Sequence, residues 1–212
     1  MSTLTKPVLM LLLGTSVLGL LAGCNKTPSE PATMASPAAK ATAEPMPKME
    51  GMSMAMGTTG MDALKTLKAK EFDIAFLSQM IAHHEAAVTM ARQALTAAKK
   101  PETKQNAQKV IDAQTKEIAQ MTTWLKEWYK VAPDTAQQAL VNEDMKAMMS
   151  MPVTTDTMFF EMMIPHHQGA IDMSALAKTQ SERPEVKKLA EDIIVAQKKE
   201  IEDYHKMMGH GG

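Results

Sequence analysis

Two clusters that combine methionine with adjacent histidines are the part of this sequence best suited to chemistry. In the first cluster, Met80 precedes His83 and His84 by three and four residues, and Met90 follows His83 by seven. On a helix these offsets bring the side chains to one face over successive turns. The same spacing recurs in a second cluster formed by Met163, His166, His167 and Met173. Thioether and imidazole groups placed in this way are able to bind a metal ion together.

The donor types indicate which metal would bind. Thioether plus imidazole suits a soft ion of low coordination number, so the sequence predicts Cu(I), with Ag(I) by analogy. Cys24 is the only cysteine, which disfavours structural zinc and iron–sulfur clusters. No Cys-x-x-Cys-His segment is present for covalent haem. No Glu lies three residues before either histidine of a pair, as the di-iron carboxylate bundles require.

Each of these residues also has an interpretation without a metal. Methionine fills irregular gaps in a hydrophobic core, and the chain contains 22 of them. A histidine on an apolar helix face is commonly a core residue with hydrogen-bonded nitrogens. Gln114 and Gln197 could supply such hydrogen bonds, or could bind the metal directly. The metal interpretation is favoured because four imidazoles near one core are costly unless every ring nitrogen finds a partner.

The two clusters lie within an internal repeat. Phe76–Leu125 aligns without a gap over Phe159–Met208, and roughly 19 of the 50 aligned positions are identical. Within each repeat, apolar residues recur at steps of three and four over two stretches, which predicts two amphipathic helices. Pro101 and Pro184, each followed by Glu, are typical of the first turn of the second helix. Duplication of a helical hairpin is the simplest explanation.

Two hairpins with one apolar stripe on each helix predict the architecture. Neither hairpin can bury its stripes alone, so we expect an all-α four-helix bundle built from two duplicated hairpins. The domain would span residues 61–212, with repeat 1 at about 68–130, a connector at 131–152 and repeat 2 at about 153–208. The stretch Ala136–Met149 has no helix breaker and predicts a short helix in the connector.

The N-terminal segment is typical of an export signal. Lys6 is followed by an apolar run from Val8 to Leu21, which is short for a membrane-spanning helix. The residues Leu-Ala-Gly-Cys that follow resemble the bacterial lipobox, in which the cysteine is lipidated. We therefore predict a lipoprotein-type signal peptide at 1–23 and a lipid anchor at Cys24, on the periplasmic or cell-surface side of a membrane. An ordinary signal peptide that ends near a cysteine is the alternative.

A further set of candidate ligands lies outside the predicted bundle core. Residues 24–60 are rich in Pro, Ala, Ser, Thr and Met and predict a disordered tether. His205 is a further predicted metal ligand. The candidates in the tether and the C-terminal tail are Met46, Met49, Met52, Met54, Met56, Met207, Met208 and His210. We expect them to form weak, exchangeable Cu(I) sites that pass ions inward. Compositional drift in a tether is the alternative.

The repeated motif resembles a known family. The pattern F-x-x-x-M-I-x-H-H-x-x-A-x-x-M, followed by a helix with Q-x-x-E-I, is similar to the DUF305 family in both repeats. The resemblance implies a ferritin-like four-helix fold, an extracytoplasmic setting and a link to copper binding and tolerance. Carried over by position, it marks the eight residues of the two clusters as metal ligands. The later helix of the family often carries a methionine. Met121 fits, whereas Tyr204 stands at the equivalent position in the second repeat, which puts two identical sites in doubt.

The function that we predict is extracytoplasmic binding of Cu(I), either to sequester it or to relay it, without catalysis. The expected partners are copper ions, a membrane through the lipid anchor, and copper-handling proteins. One alternative is a redox enzyme that oxidises Cu(I), for which Glu85 and Asp172 are the adjacent carboxylates. Another is an envelope scaffold without a metal. The net charge of −1 gives no indication of a nucleic-acid partner.

Overall fold

Four long helices dominate residues 57–209, the part of the chain that the computed structural model describes. The helices in chain order are α1 Thr59–Lys65, α2 Ala69–Ala97, α3 Pro101–Trp124, α4 Thr135–Asp144, α5 Lys146–Met149, α6 Asp156–Gln180 and α7 Pro184–Met207. The last turn of α3 widens into a π-helical segment, Leu125–Tyr129. Within the described range there is no strand. The predicted all-α four-helix bundle of two hairpins is therefore confirmed.

Each hairpin is set by local sequence at its turn. α3 and α7 begin at Pro101 and Pro184, whose missing amide costs nothing in a first helical turn. The backbone amides of Lys99 and Lys100 donate to the carboxylate of Asp156, at 3.1 and 2.9 Å. Because Asp156 is the first residue of α6, this contact ties the turn of the first hairpin to the start of the second.

The helices form a central pair with an outer helix on each side. α2 packs against both α3 and α6, and α6 packs against α7. Burial follows this arrangement: α2 is buried over most of its surface, whereas α3 and α7 bury a single stripe each. The helix predicted in the connector is present as α4, which covers part of α2. The histidine pairs lie on the two central helices, where burial is greatest.

The buried side chains form two main clusters. The first core cluster includes Phe72, Phe76, Met80, Met121, Leu125, Met173, Leu189 and Ile193. The second core cluster includes Met90, Val110, Met148, Phe159, Phe160, Met162, Met163 and Tyr204. Met80 precedes its histidine pair and Met173 follows its own, yet the two share a cluster. The two central helices therefore run in opposite directions, and each cluster takes side chains from both repeats.

The start of the folded domain differs slightly from the predicted boundary at residue 61. α1 begins at Thr59, and the Asp144 carboxylate accepts the amide hydrogens of Thr59 and Gly60, at 3.2 and 2.8 Å. Gln79 donates to the carbonyl of Gly60 at 3.1 Å. These partners are distant in sequence, so local composition did not reveal that the end of the predicted tether is held in place.

Several predictions concern residues outside the described range. These are the signal peptide at 1–23, the lipid anchor at Cys24, the tether methionines and His210. Between residues 57 and 209, none of the helices combines the length and the apolar character needed to cross a membrane.

Candidate metal centre

The four histidines of the two pairs form a row across the middle of the bundle, and all four side chains are fully buried. The ring centroids of His84 and His83 are 6.3 Å apart, those of His83 and His166 are 3.8 Å apart, and those of His166 and His167 are 6.2 Å apart. The row therefore crosses from one repeat to the other through the contact of its two inner rings.

Each outer ring of the row meets a glutamate from the second helix of its own hairpin. Nε2 of His84 lies 2.7 Å from Oε2 of Glu117, in hydrogen-bond geometry. Nε2 of His167 lies 2.8 Å from Oε2 of Glu200, but at an angle outside that of a hydrogen bond. The two glutamates occupy equivalent positions of the repeat, so duplication has preserved a His–Glu pair on both sides of the bundle.

The ring nitrogens are otherwise poorly partnered. Nε2 of His166 donates to the backbone carbonyl of His83 at 3.0 Å. Nδ1 has no hydrogen-bond partner in His84, His166 or His167, and neither nitrogen of His83 has one. The hydrogen bonds that Gln114 and Gln197 could have supplied are not made to any of the four rings, and the Oε1 atoms of both glutamines are themselves unpartnered. Buried polar atoms are normally hydrogen-bonded, so this concentration of free nitrogens calls for an explanation.

Burial also sets the charge of the inner rings. It lowers the pKa of His83 well below the ordinary value, and the neighbouring His166, His84 and His167 lower it further. Burial, followed by the neighbouring His167 and His84, lowers the pKa of His166 in the same direction. Both inner rings are therefore neutral at pH 7, and each retains a nitrogen lone pair that can bind a metal.

The predicted thioether ligands are buried but divided between the two core clusters. Met80 and Met90, which flank the first histidine pair in the sequence, lie in different clusters. The first core cluster joins Met80 and Met121 of repeat 1 to Met173 of repeat 2. The second joins Met163 of repeat 2 to Met90 of repeat 1, with Tyr204 at the position equivalent to Met121. The structure thus separates the two methionines that flank each histidine pair and places each with a methionine of the other repeat.

Other predicted ligands lie away from the row. His205 is exposed at the end of α7, and Met207 is exposed beside it. Met208 is half-buried and packs against the second core cluster. Glu85 and Asp172, the carboxylates considered from the sequence, are both exposed.

Glu117 and Glu200 were missed as site residues. The sequence contained a signal for them, because each follows a buried glutamine by three residues in the Q-x-x-E-I segment of its repeat. That position is at the edge of the apolar stripe, where a glutamate side chain is ordinarily solvated. Here the side chains are only 23% and 28% exposed.

The donors available in this region are soft or borderline. Imidazole nitrogens lie one helical turn from the thioethers of Met80 and Met163 in the sequence, and all of these side chains are buried. Within residues 57–209, no three side chains of the His, Cys, Asp and Glu types converge on one point in the way that a metal site requires. Imidazole and thioether are the donors that Cu(I) accepts.

Comparison with known proteins supports the same architecture. The family model described as a domain of unknown function, DUF305, matches the chain twice, over residues 16–125 and 97–208. CopM in its Cu(I)-bound form is 36% identical, with a TM-score of 0.55, and the match covers 64% of this chain and 94% of that one. CopM in its Ag-bound form, obtained by soaking, is 37% identical, with a TM-score of 0.54 and coverage of 64% and 93%.

A DUF305 fragment from Deinococcus radiodurans is 26% identical, with a TM-score of 0.54, and the match covers 67% of this chain and 98% of the fragment. No curated protein sequence matches the chain. The two family matches together extend over most of the sequence and contain both histidine pairs. The chain therefore belongs to the DUF305 family.

Proposed function

We propose that this protein binds Cu(I) through methionine and histidine side chains of the bundle, and that Ag(I) binds at the same places. The observation that carries the proposal is the buried row of four imidazoles with unpartnered nitrogens, flanked by buried thioethers. An unpartnered polar atom in an apolar interior costs roughly 1–3 kcal/mol, and a bound ion would remove that cost at several atoms together.

The similarity to CopM supports this choice of metal. CopM has been solved in Cu(I)-bound, Cu(II)-bound and Ag-bound forms. In our proposal the present chain sequesters Cu(I) or relays it to copper-handling proteins, outside the cytoplasm and anchored to a membrane through Cys24. A thioether cannot form a disulfide, so such sites remain usable in an oxidising compartment.

The grouping of the methionines favours two unequal sites. The first would draw on His84 together with Met80, Met121 and Met173. The second would draw on His167 with Met90 and Met163, next to Tyr204, whose ring centroid is 5.7 Å from that of His167. Since only two of the predicted thioether ligands belong to the second site, against three for the first, we expect the second site to bind Cu(I) more weakly.

A titration of the purified protein with Cu(I), in competition with a chromogenic chelator, tests the proposal. We expect tight binding that falls when His84 and His167 are replaced by Gln. His205→Gln is the matched control, because His205 is exposed and lies away from the row, so its loss should leave the tight binding unchanged. Thermal unfolding of each metal-free variant verifies that the bundle is intact. Wild-type protein that fails to compete with the chelator, or equal affinity in all variants, contradicts the proposal.

A redox function is the second candidate, and the two His–Glu pairs favour it. Carboxylates beside the histidines are a feature that a centre reacting with oxygen would need, and Glu117 and Glu200 supply them. Oxygen uptake driven by added Cu(I), which disappears in Glu117→Gln and Glu200→Gln, would support this candidate. Stoichiometric Cu(I) binding without oxygen uptake would support the binding function alone.

A further inference from the structure

We infer that Glu117 and Glu200 are positioning residues that hold His84 and His167 with the proton on Nε2, so that Nδ1 is the nitrogen left to bind the metal. The inference rests on the proposed function and specifies which atom of each ring takes part. It follows from two contacts and two unpartnered atoms that recur at equivalent positions of the repeat.

The first contact settles the side of the ring that carries the proton. Oε2 of Glu117 lies 2.7 Å from Nε2 of His84. An ionised carboxylate has only lone pairs to offer, so a hydrogen bond at this distance needs the hydrogen on Nε2. A lone pair on Nε2 would face a lone pair of the carboxylate across that short distance, in a partly buried place where the repulsion is poorly screened.

The opposite nitrogen then has to be the bare one. Nδ1 of His84 is buried and has no hydrogen-bond partner. A proton on that atom would have no acceptor, whereas a lone pair there is free for a metal ion. The carboxylate therefore fixes the tautomer and the rotation of the ring at once, as carboxylate–histidine–metal arrangements do in other proteins.

The second repeat shows the same pattern with a looser contact. Nε2 of His167 is 2.8 Å from Oε2 of Glu200, outside hydrogen-bond angles, and Nδ1 of His167 is unpartnered. His166 has the same tautomer with a different acceptor: its Nε2 donates to the backbone carbonyl of His83, and its Nδ1 is unpartnered. In His84 and His166 a hydrogen bond at Nε2 leaves Nδ1 bare. In His167 the 2.8 Å carboxylate contact favours the same form, and His83 has no polar contact at either nitrogen.

The two contacts differ in quality, which predicts unequal effects of substitution. The Glu117 contact has the geometry of a hydrogen bond, whereas the Glu200 contact does not. Glu117→Gln replaces a group that only accepts with an amide that can also donate, so His84 gains access to the other tautomer. Glu85→Gln is the matched control, since Glu85 is the residue next to His84 but is exposed.

The experiment is nitrogen NMR of the purified protein with ¹⁵N-labelled histidine, before and after addition of Ag(I). Without metal, we expect His84 and His167 in the Nε2–H form, with a mixture of forms for His84 in Glu117→Gln and no change in Glu85→Gln. With Ag(I), the resonance that shifts should be Nδ1. The affinity for Ag(I) should fall roughly 10- to 100-fold in Glu117→Gln and by less in Glu200→Gln.

The outcomes separate this inference from the proposed function. An Nδ1–H form of His84 in the metal-free protein, or an Ag(I)-induced shift at Nε2 instead of Nδ1, overturns the inference while Ag(I) binding itself stands. If the wild-type protein takes up no Ag(I), both the proposed function and the assignment of Nδ1 as the ligand atom are overturned. The tautomers of His84 and His167 are still determined in that case, because they are measured in the metal-free spectrum. Thermal unfolding of Glu117→Gln, and rescue of affinity in Glu117→Asp, distinguish positioning from loss of the fold.

Discussion

The imidazole ring of His83 lies against that of His166, with 3.8 Å between the ring centroids, and the two residues occupy equivalent positions of the duplicated hairpin. The contact brings the two copies of the motif together at the centre of the bundle. It also makes the stability of the metal-free protein depend on pH, because protonation of either ring would place a positive charge in the buried contact.

The stability of the metal-free protein should fall as the pH decreases below about 6.5, the ordinary histidine pKa. The pKa values of His83 and His166 are lowered in the folded state, chiefly by burial. At a pH between the folded and unfolded pKa values, only the unfolded chain takes up these protons. The contribution of the two neutral rings to stability is therefore complete above the unfolded pKa and is lost progressively as the pH falls below it. Each ring contributes a slope of up to ~1.4 kcal/mol per pH unit.

Denaturant unfolding of the metal-free protein at a series of pH values measures this slope. The double variant His83→Gln/His166→Gln should show a flatter dependence than the wild type. His205→Gln is the control, because the side chain of His205 is exposed in the folded protein. A wild-type stability that is constant between pH 7 and pH 5 would contradict the prediction.

Met121→Leu should weaken Cu(I) binding in the first core cluster while preserving the fold. Met121 is fully buried there, and the exchange of Met for Leu conserves volume, at a cost to stability below roughly 1.5 kcal/mol. We expect the affinity of one Cu(I) equivalent to fall at least about tenfold, which corresponds to ~1.4 kcal/mol. Competition titration provides the measurement. Met207→Leu is the control, because Met207 is exposed and could contribute only to weak binding outside the first core cluster. Equal affinity in both variants would exclude Met121 as a ligand.

Tyr204→Met should have the opposite effect in the second core cluster. The substitution places a thioether at the position equivalent to Met121, in addition to the predicted ligands Met90 and Met163, so the weaker Cu(I) site should approach the affinity of the stronger one. It also removes ring contacts with Phe159 and Phe160, whose centroids lie 6.1 and 5.1 Å from that of Tyr204. Some loss of thermal stability in the metal-free state is therefore expected, with recovery when Cu(I) is added. Unchanged weak binding would argue against a second site at this position.

Tryptophan fluorescence should report occupancy of the first core cluster selectively. Trp124 and Trp128 are stacked, with centroids 4.7 Å apart, and both pack against that cluster. They are the only tryptophans in the chain. Quenching by Ag(I) should therefore persist in His167→Gln and diminish in His84→Gln. A steady-state or stopped-flow fluorescence titration with Ag(I) measures the quenching. Equal quenching in the two variants would show that the tryptophan signal does not depend on metal binding in the first core cluster.

A partly buried polar network at the π-helical segment after α3 should make Tyr129→Phe destabilising without affecting metal binding. The hydroxyl of Tyr129 donates to Asp73 at 2.6 Å and accepts from Arg183 Nε at 3.1 Å. Burial and the neighbouring Asp73 raise the pKa of Tyr129 to about 12, so the hydroxyl keeps its proton at physiological pH. The variant leaves buried Asp73 short of a donor, which costs roughly 1–3 kcal/mol in denaturant unfolding. Unaltered Cu(I) affinity is the accompanying control.

The sequence was sufficient for the elements and for the central histidines. Steps of three and four residues marked the long helices, and Pro101 and Pro184 marked where α3 and α7 begin. Both signals are local, because they depend on helix periodicity and on the chemistry of the first turn. The same periodicity placed the histidine pairs on apolar faces, where the structure shows them buried.

The grouping of ligands could not be predicted in the same way. Spacing along one helix relates Met80 to Met90, but the antiparallel packing of α2 on α6 places Met80 with Met173 instead. That pairing depends on contacts between residues far apart in the chain, which no local pattern encodes. Glu117 illustrates the same difficulty, since its role depends on a histidine in another helix coming within 2.7 Å.

The interleaving of methionines from both repeats has a consequence for a single hairpin of this kind. A polypeptide that carries a single hairpin has Met80 and Met121 but nothing in the place of Met173, so it cannot complete the first cluster alone. Two copies related by a two-fold axis, with their central helices antiparallel, would restore the missing side chain on each side. Fusion of those copies into one chain would then free each hairpin to diverge, which is the condition under which a position such as Tyr204 can come to differ from Met121.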